Sequence, residues 1–150
     1  MHQYYSLINR TYMAFFKKVK QNKDNKWHPT AITKGRPYTT DDVAQQLSVM
    51  STVTPGDTYA VLMNLGPVLA EMMEAGRSVR LKGVGTFYYT CRSEGKGVDT
   101  PEEVSAQQIT GVQVRFIPEY SRNQQGKVTD RTLISPYISW VDVDEAVNPL

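Results

Sequence analysis

Cysteine is nearly absent: Cys91 stands alone among 150 residues, which excludes an internal disulfide and any thiolate cluster for zinc or iron–sulfur binding. That usage suits a reducing cytoplasm. Histidine is scarce too, with only His2 and His28 far apart in sequence, and no Gly-x-x-x-x-Gly-Lys phosphate loop occurs. Glu102 and Glu103 are neighbours, so an extended chain sends them to opposite sides and they form no general acid–base pair. With no catalytic constellation, cofactor motif or metal set, the sequence reads as that of a non-enzyme. Long apolar runs are lacking as well: none approaches the roughly 20 residues that cross a bilayer. The aromatic start is broken by Asn9, Arg10 and Thr11, which leaves no signal-peptide core. The expected location is therefore cytoplasmic. Charge of one sign is also in short supply. The net charge is +2 and the isoelectric point about 8.6, a weak excess for a domain that neutralises many phosphates.

What is present is an ordinary globular composition, 40% hydrophobic and 21% charged. The length suits one principal domain with appendages. The charges are unevenly placed. Between Met13 and Arg36 the basic residues Lys17, Lys18, Lys20, Lys23, Lys26, Lys34 and Arg36 face only Asp24, whereas Asp130, Asp142, Asp144 and Glu145 face only Arg131 near the end. The chain is basic early and acidic late.

The local patterns predict an α+β order. Met13 to Lys20 and Trp27 to Thr33 are β-prone runs around a polar stretch, as in a hairpin with a longer turn. Pro29 suits a strand edge or start, since it cannot donate to a ladder, and His28 beside it reads as a strand-edge residue. Thr39 and Thr40 before Asp41 and Asp42 make a helix entry, with Val43, Ala44, Leu47 and Met50 at helical spacing to about residue 50. Thr54-Pro55-Gly56-Asp57 opens a second helix, whose apolar residues Tyr59, Leu62, Met63, Leu65, Val68, Leu69, Met72 and Met73 run to a cap at Gly76. Gly66-Pro67 predicts a kink or a split within it. From Ser78 the period becomes two: a strand at Val79 and Leu81, a glycine turn, a strand from Thr86 to Thr90, and a third at Val112, Val114 and Phe116, closed by Pro118. Cys91 falls in the second of these and is expected to be packed rather than reactive. Leu133, Ile134, Tyr137, Ile138, Trp140 and Val141 form an apolar cluster expected to pack back as a strand or short helix.

At Gly76 to Phe87 the chain reads GRSVRLKGVGTF, and Val114 to Pro118 reads VRFIP. The first resembles the helix-to-sheet segment of the bacterial histone-like HU and integration host factor family. The second resembles the point where that family's third strand leaves its long β-arm. The resemblance runs from about Thr39 to Gln125, and the hairpin before it and the tail after it resemble the layout of longer HU-related proteins of Bacteroidetes-type bacteria. It implies an HU-like α+β fold of two helices, a three-stranded antiparallel sheet and a β-arm, preceded by the extra hairpin. Residues 1–12 would be a flexible N-terminal extension, 13–127 the DNA-binding domain with its leading hairpin, and 128–150 a tail packing on that domain. It further implies a homodimer, or a heterodimer with a related subunit, that binds double-stranded DNA in the nucleoid through phosphate and minor-groove contacts with little sequence preference and no cofactor. The long helix itself favours a dimer, being more apolar than one small partner could bury; the competing reading is that residues 128–150 cover it.

Candidate contacts follow. Gly83 and Gly85 would let the backbone approach phosphate with amides free to donate, beside Arg80 and Lys82; a simple tight turn is the plainer reading. In the arm, Arg92, Lys96 and Arg115 are set against Glu94, Asp99, Glu102 and Glu103, and Pro101 stands roughly where the family has a proline that wedges between base steps. Lys17, Lys18, Lys20, Lys34 and Arg36, interleaved with Phe15, Phe16 and Trp27, could track a phosphate backbone or stack on exposed bases. They could equally form a solvated edge that discourages aggregation. Arg122 and Lys127 lie where the family has a C-terminal helix near DNA. The rival function is an HU-like scaffold whose acidic arm and tail bind protein instead of DNA.

Overall fold

The structure is a computed structural model and describes residues 13–145; the expected extension of residues 1–12 lies outside the described residues. In chain order the elements are β1 (Met13–Lys20), β2 (Trp27–Ile32), α1 (Thr40–Met50), α2 (Pro55–Glu74), β3 (Val79–Leu81), β4 (Gly85–Ser93), β5 (Ile109–Pro118), β6 (Tyr120–Arg122), β7 (Val128–Arg131) and β8 (Ser139–Asp142). They divide into two compact units, one of residues 13–37 with 134–145, the other Tyr38–Leu133. The fold is mixed α+β.

In the first unit β1 and β2 pair antiparallel, and β8 pairs parallel to β1, giving the order β2-β1-β8. The apolar tail thus contributes a strand to the hairpin's sheet. The turn between β1 and β2 closes with the Gln21 amide donating to the Lys26 carbonyl at 2.9 Å, and Asn25 takes a φ of +56°, which asparagine tolerates. Pro29 falls on β2, an edge strand, where no ladder donor is lost.

In the second unit, Thr39 starts α1 with a reciprocal cap. Its hydroxyl accepts from the Asp42 amide at 3.3 Å, while the Asp42 carboxylate accepts from the Thr39 amide at 2.8 Å. Thr54 caps α2 one way only: its hydroxyl accepts from the Asp57 amide at 3.2 Å and donates to the Asp57 carboxylate at 2.6 Å. Of the kink or split expected at Gly66-Pro67, the split does not occur: α2 runs as one helix from Pro55 to Glu74 with Pro67 inside it. One proline removes one amide donor, and the turns on either side keep theirs. Gly76, at a φ of +77°, ends the run.

β3, β4 and β5 form one antiparallel sheet in that order, which α2 touches at β3 and β4; β6 and β7 form a separate two-stranded ribbon. Among the described residues the buried apolar side chains are Ala44, Leu69 and Met73, all from the helices. Cys91 is exposed rather than packed: it lies on the part of β4 beyond Phe87, where β3 no longer pairs with it.

Candidate nucleic-acid interface

Side chains alternate across a strand, so the register of β3-β4-β5 sorts its residues into two faces. Val79 pairs with Phe87, Phe87 with Phe116, Tyr89 with Val114 and Cys91 with Val112, which makes one face apolar. The Phe87 and Phe116 rings lie 4.7 Å apart between centroids on it. Arg80 pairs with Thr86, Tyr88 with Arg115, Thr90 with Gln113 and Arg92 with Gly111 on the other. Three arginines separated by as many as 35 positions in sequence (Arg80 to Arg115) therefore share one face with two threonines, a tyrosine and a glutamine, and with Ile117 opposite Thr86. The Arg115 guanidinium donates to the Gln113 side chain at 3.3 Å. Such a surface offers fixed cations and neutral donors together, which is what a phosphate backbone accepts.

The glycine turn departs from expectation. Gly83 does not hold its amide free, because that N–H donates to the Glu119 carboxylate at 2.5 Å. Arg80 donates to the same carboxylate at 2.8 Å. The Glu119 amide in turn donates to the Val84 carbonyl at 3.0 Å, so the turn is clamped to the chain leaving β5. The Arg80 hydrogen bond, with the Gly83 amide second, holds the Glu119 carboxyl below its usual range. An internal carboxylate occupies the place anticipated for a phosphate. Gly85 is buried, and a Cβ there would collide with the Ile117 carbonyl oxygen and come within 2.6 Å of the Phe116 ring. Its role is close packing of β4 on β5, not approach to a ligand. Lys82 remains exposed beside the turn.

In the segment joining β4 to β5, Lys96 is exposed and Pro101 opens a short 3-10 turn, Pro101–Glu103. Carboxylates crowd this proline, since Glu103 accepts from the Asp99 amide at 3.3 Å and Glu102 stands next to it. Where the resemblance implies a C-terminal helix, residues 120–131 instead form the β6–β7 ribbon. Arg122 is drawn into that ribbon, donating to the Gly126 carbonyl at 2.6 Å and lying 4.8 Å from the Tyr120 ring centroid. Lys127 is exposed.

The hairpin lysines belong to the other unit. Lys18 bonds the buried Asp142 carboxylate at 2.7 Å, an interaction that raises the lysine's pKa and lowers the aspartate's. It is a structural cation. Lys34 lies 5.3 Å from the Phe15 ring centroid, and Lys17 and Lys20 are exposed. Missed in the sequence were Thr86, Tyr88, Thr90 and Gln113, although the alternation from Thr86 to Arg92 signals a common face. Glu119 was missed as well, and it carries no local signal because its partners lie 36 and 39 residues away. Among the described residues, no group of three or more His, Cys, Asp or Glu is gathered to hold a metal, and no helix is long and apolar enough to cross a membrane.

No curated protein matches the chain. Among solved structures it is similar to a protein of Bacteroides vulgatus ATCC 8482 named as a candidate bacterial DNA-binding protein, with a TM-score of 0.50 and 16% identity. That match covers 71% of this chain and 41% of the other, so the chain spans less than half of that relative's length. At this identity the likeness is one of fold. A family model described as an HU domain fused to wHTH, Ig, or glycine-rich motif matches residues 1–131. With most of its length matched by that model, the chain belongs to this family of fused HU domains.

Proposed function

We propose that the protein is an architectural, histone-like DNA-binding protein, acting as a dimer on double-stranded DNA through phosphate and minor-groove contacts with little sequence preference. The observation that carries this reading is the face shared by Arg80, Arg92 and Arg115. Arg92 and Arg115 are its principal phosphate contacts, with Lys82, Lys96 and Lys127 as exposed additions, whereas Arg80 and Gly83 are committed to Glu119. The similar Bacteroides vulgatus protein, named for DNA binding, adds support. Carboxylates around Pro101 oppose its insertion between base steps, so the arm holds DNA without a sharp kink.

Dimerisation is supported by the helices. Val43, Leu47 and Met50 on α1, with Met63, Val68 and Met72 on α2, are all at least 40% exposed in the single chain. Apolar surface of this extent on both helices suits an obligate interface, which resembles a core cut in half.

A second reading, the protein-binding scaffold, is favoured by charge. Tyr38–Leu133 holds nine Lys and Arg against eleven Asp and Glu. Anisotropy of a labelled random-sequence duplex, titrated with the protein over a range of salt, separates the two. Affinity that falls steadily with salt is expected. No binding at low salt would leave the scaffold. Light scattering should return twice the 17.0 kDa chain mass, and a single-chain mass would remove the dimer.

A further inference from the structure

We infer that the sheet β2-β1-β8 carries a second nucleic-acid site, one for the unpaired bases of a single strand, with Trp27, Phe16 and Trp140 as stacking surfaces. It is independent of the duplex reading and uses a different unit. The register assigns Phe16, Lys18 and Lys20 of β1, Trp27, Pro29 and Ala31 of β2, and Trp140 and Asp142 of β8 to one face. Trp27 is 68% and Trp140 58% exposed. Beside Trp140 lies a hollow of about 460 Å³ lined by Phe16, Pro29, Ala31 and Trp140.

Charge selects the occupant. The described part of this unit carries Lys17, Lys18, Lys20, Lys23, Lys26, Lys34 and Arg36 against Asp24, Asp142, Asp144 and Glu145, the reverse of the balance in Tyr38–Leu133. Lys20 stands opposite Trp27, and Lys23 and Lys26 belong to the adjoining turn, so cations cluster at the Trp27 end. The carboxylates nearest these cations are largely engaged: Asp24 accepts from the Lys26 amide at 3.0 Å and bonds His28 at 2.7 Å, Asp142 is buried beneath Lys18, and the exposed Glu145 lies 3.9 Å from the same ammonium, with Asp144 acting on it at longer range. From Lys20, opposite Trp27, to Ala14, opposite Trp140, the strand runs roughly 20 Å, the span of a few nucleotides. Aromatic platforms interleaved with cations accept any base by its ring face. A duplex keeps those faces stacked inside, so the site discriminates in favour of single strands.

Trp27 and Trp140 are the chain's two tryptophans, so tryptophan emission, excited selectively over tyrosine, reads this face alone. Titration of the full chain with an oligothymidylate of about 15 nucleotides, a length within the range single-strand folds occupy, should give saturable quenching that weakens with salt. W27A should bind about tenfold more weakly, as loss of one stacking partner implies, with Trp140 still reporting. W27F should restore most of the affinity, and far-UV circular dichroism should be unchanged in both. Polyphosphate at equal charge should leave the fluorescence unchanged, and so should a proline-rich peptide. R92Q/R115Q, which tests the duplex reading, should leave the quenching intact. No quenching at low salt overturns the inference. Equal quenching by polyphosphate does so too, by reducing the site to a bare cationic patch, and quenching by the peptide alone would assign the face to a protein.

Discussion

Replacing Arg92 and Arg115 by glutamine tests whether the polar face of β3-β4-β5 meets phosphate. Both side chains lie on that face and both are exposed, whereas Arg80, on the same face, is bonded to Glu119 at 2.8 Å. Each phosphate neutralised adds about −0.9 to the slope of log K against log salt. In a dimer the double substitution removes both contacts from each protomer, so the slope should become shallower by roughly 3.6. Each contact also accounts for a loss of about 3.5-fold when salt rises from about 50 to 200 mM, so the variant's affinity should be far less salt-sensitive over that range. R80Q should shift the slope much less, because its guanidinium already has an anion. The assay is duplex anisotropy at several salt concentrations for wild type, R80Q and R92Q/R115Q. If R80Q flattens the slope by half as much as R92Q/R115Q does, or if the double variant keeps the full slope, the assignment of this face is wrong.

Three further outcomes follow from the geometry. G85A should lose roughly 2–4 kcal/mol, from overpacking of a site that cannot shift plus backbone strain at a φ of +155°; a urea midpoint equal to wild type would remove the packing role. The Glu119 carboxyl is held below its ordinary 4.5 by Arg80 and Gly83, so its stabilisation is present above that value and lost as pH falls through the lower folded one. E119Q should therefore be less stable than wild type at pH 7, and the difference should shrink on acidification; midpoints measured from about pH 7 to 3 that stay parallel would contradict this. In the first unit, K18M should destabilise more than D142N, because it leaves the Asp142 carboxylate, 3% exposed, without its cation, whereas the Lys18 side chain is 59% exposed and returns to water. Tryptophan fluorescence during denaturation reads this sheet directly, and equal midpoints would refute the asymmetry.

Much of the local structure was legible because it rests on short-range chemistry. The bounds of α1, the cap at Gly76, the hairpin turn and the strands on either side of the glycines follow from hydroxyl caps, apolar spacing and residues that tolerate positive φ. Pro67 shows the limit of such reasoning: one missing amide predicted a kink or a split, and the helix runs on through it without splitting. The cationic candidates were found as residue types, but their standing was not. Lys18, Arg80 and Arg122 look alike in sequence to Lys17, Arg92 and Arg115, yet the first three are spent on Asp142, Glu119 and Gly126.

By itself the sequence determined the mixed α+β character, the helix limits and the alternation along each strand, since these depend on neighbours within a few positions. It also determined the resemblance that the family model bears out. Only the tertiary structure decided which alternating rows meet on one face, that β8 joins β1, and that Glu119 fills the glycine turn. Those outcomes depend on register and on partners dozens of residues apart, where a shift of one residue would turn every side chain to the opposite face.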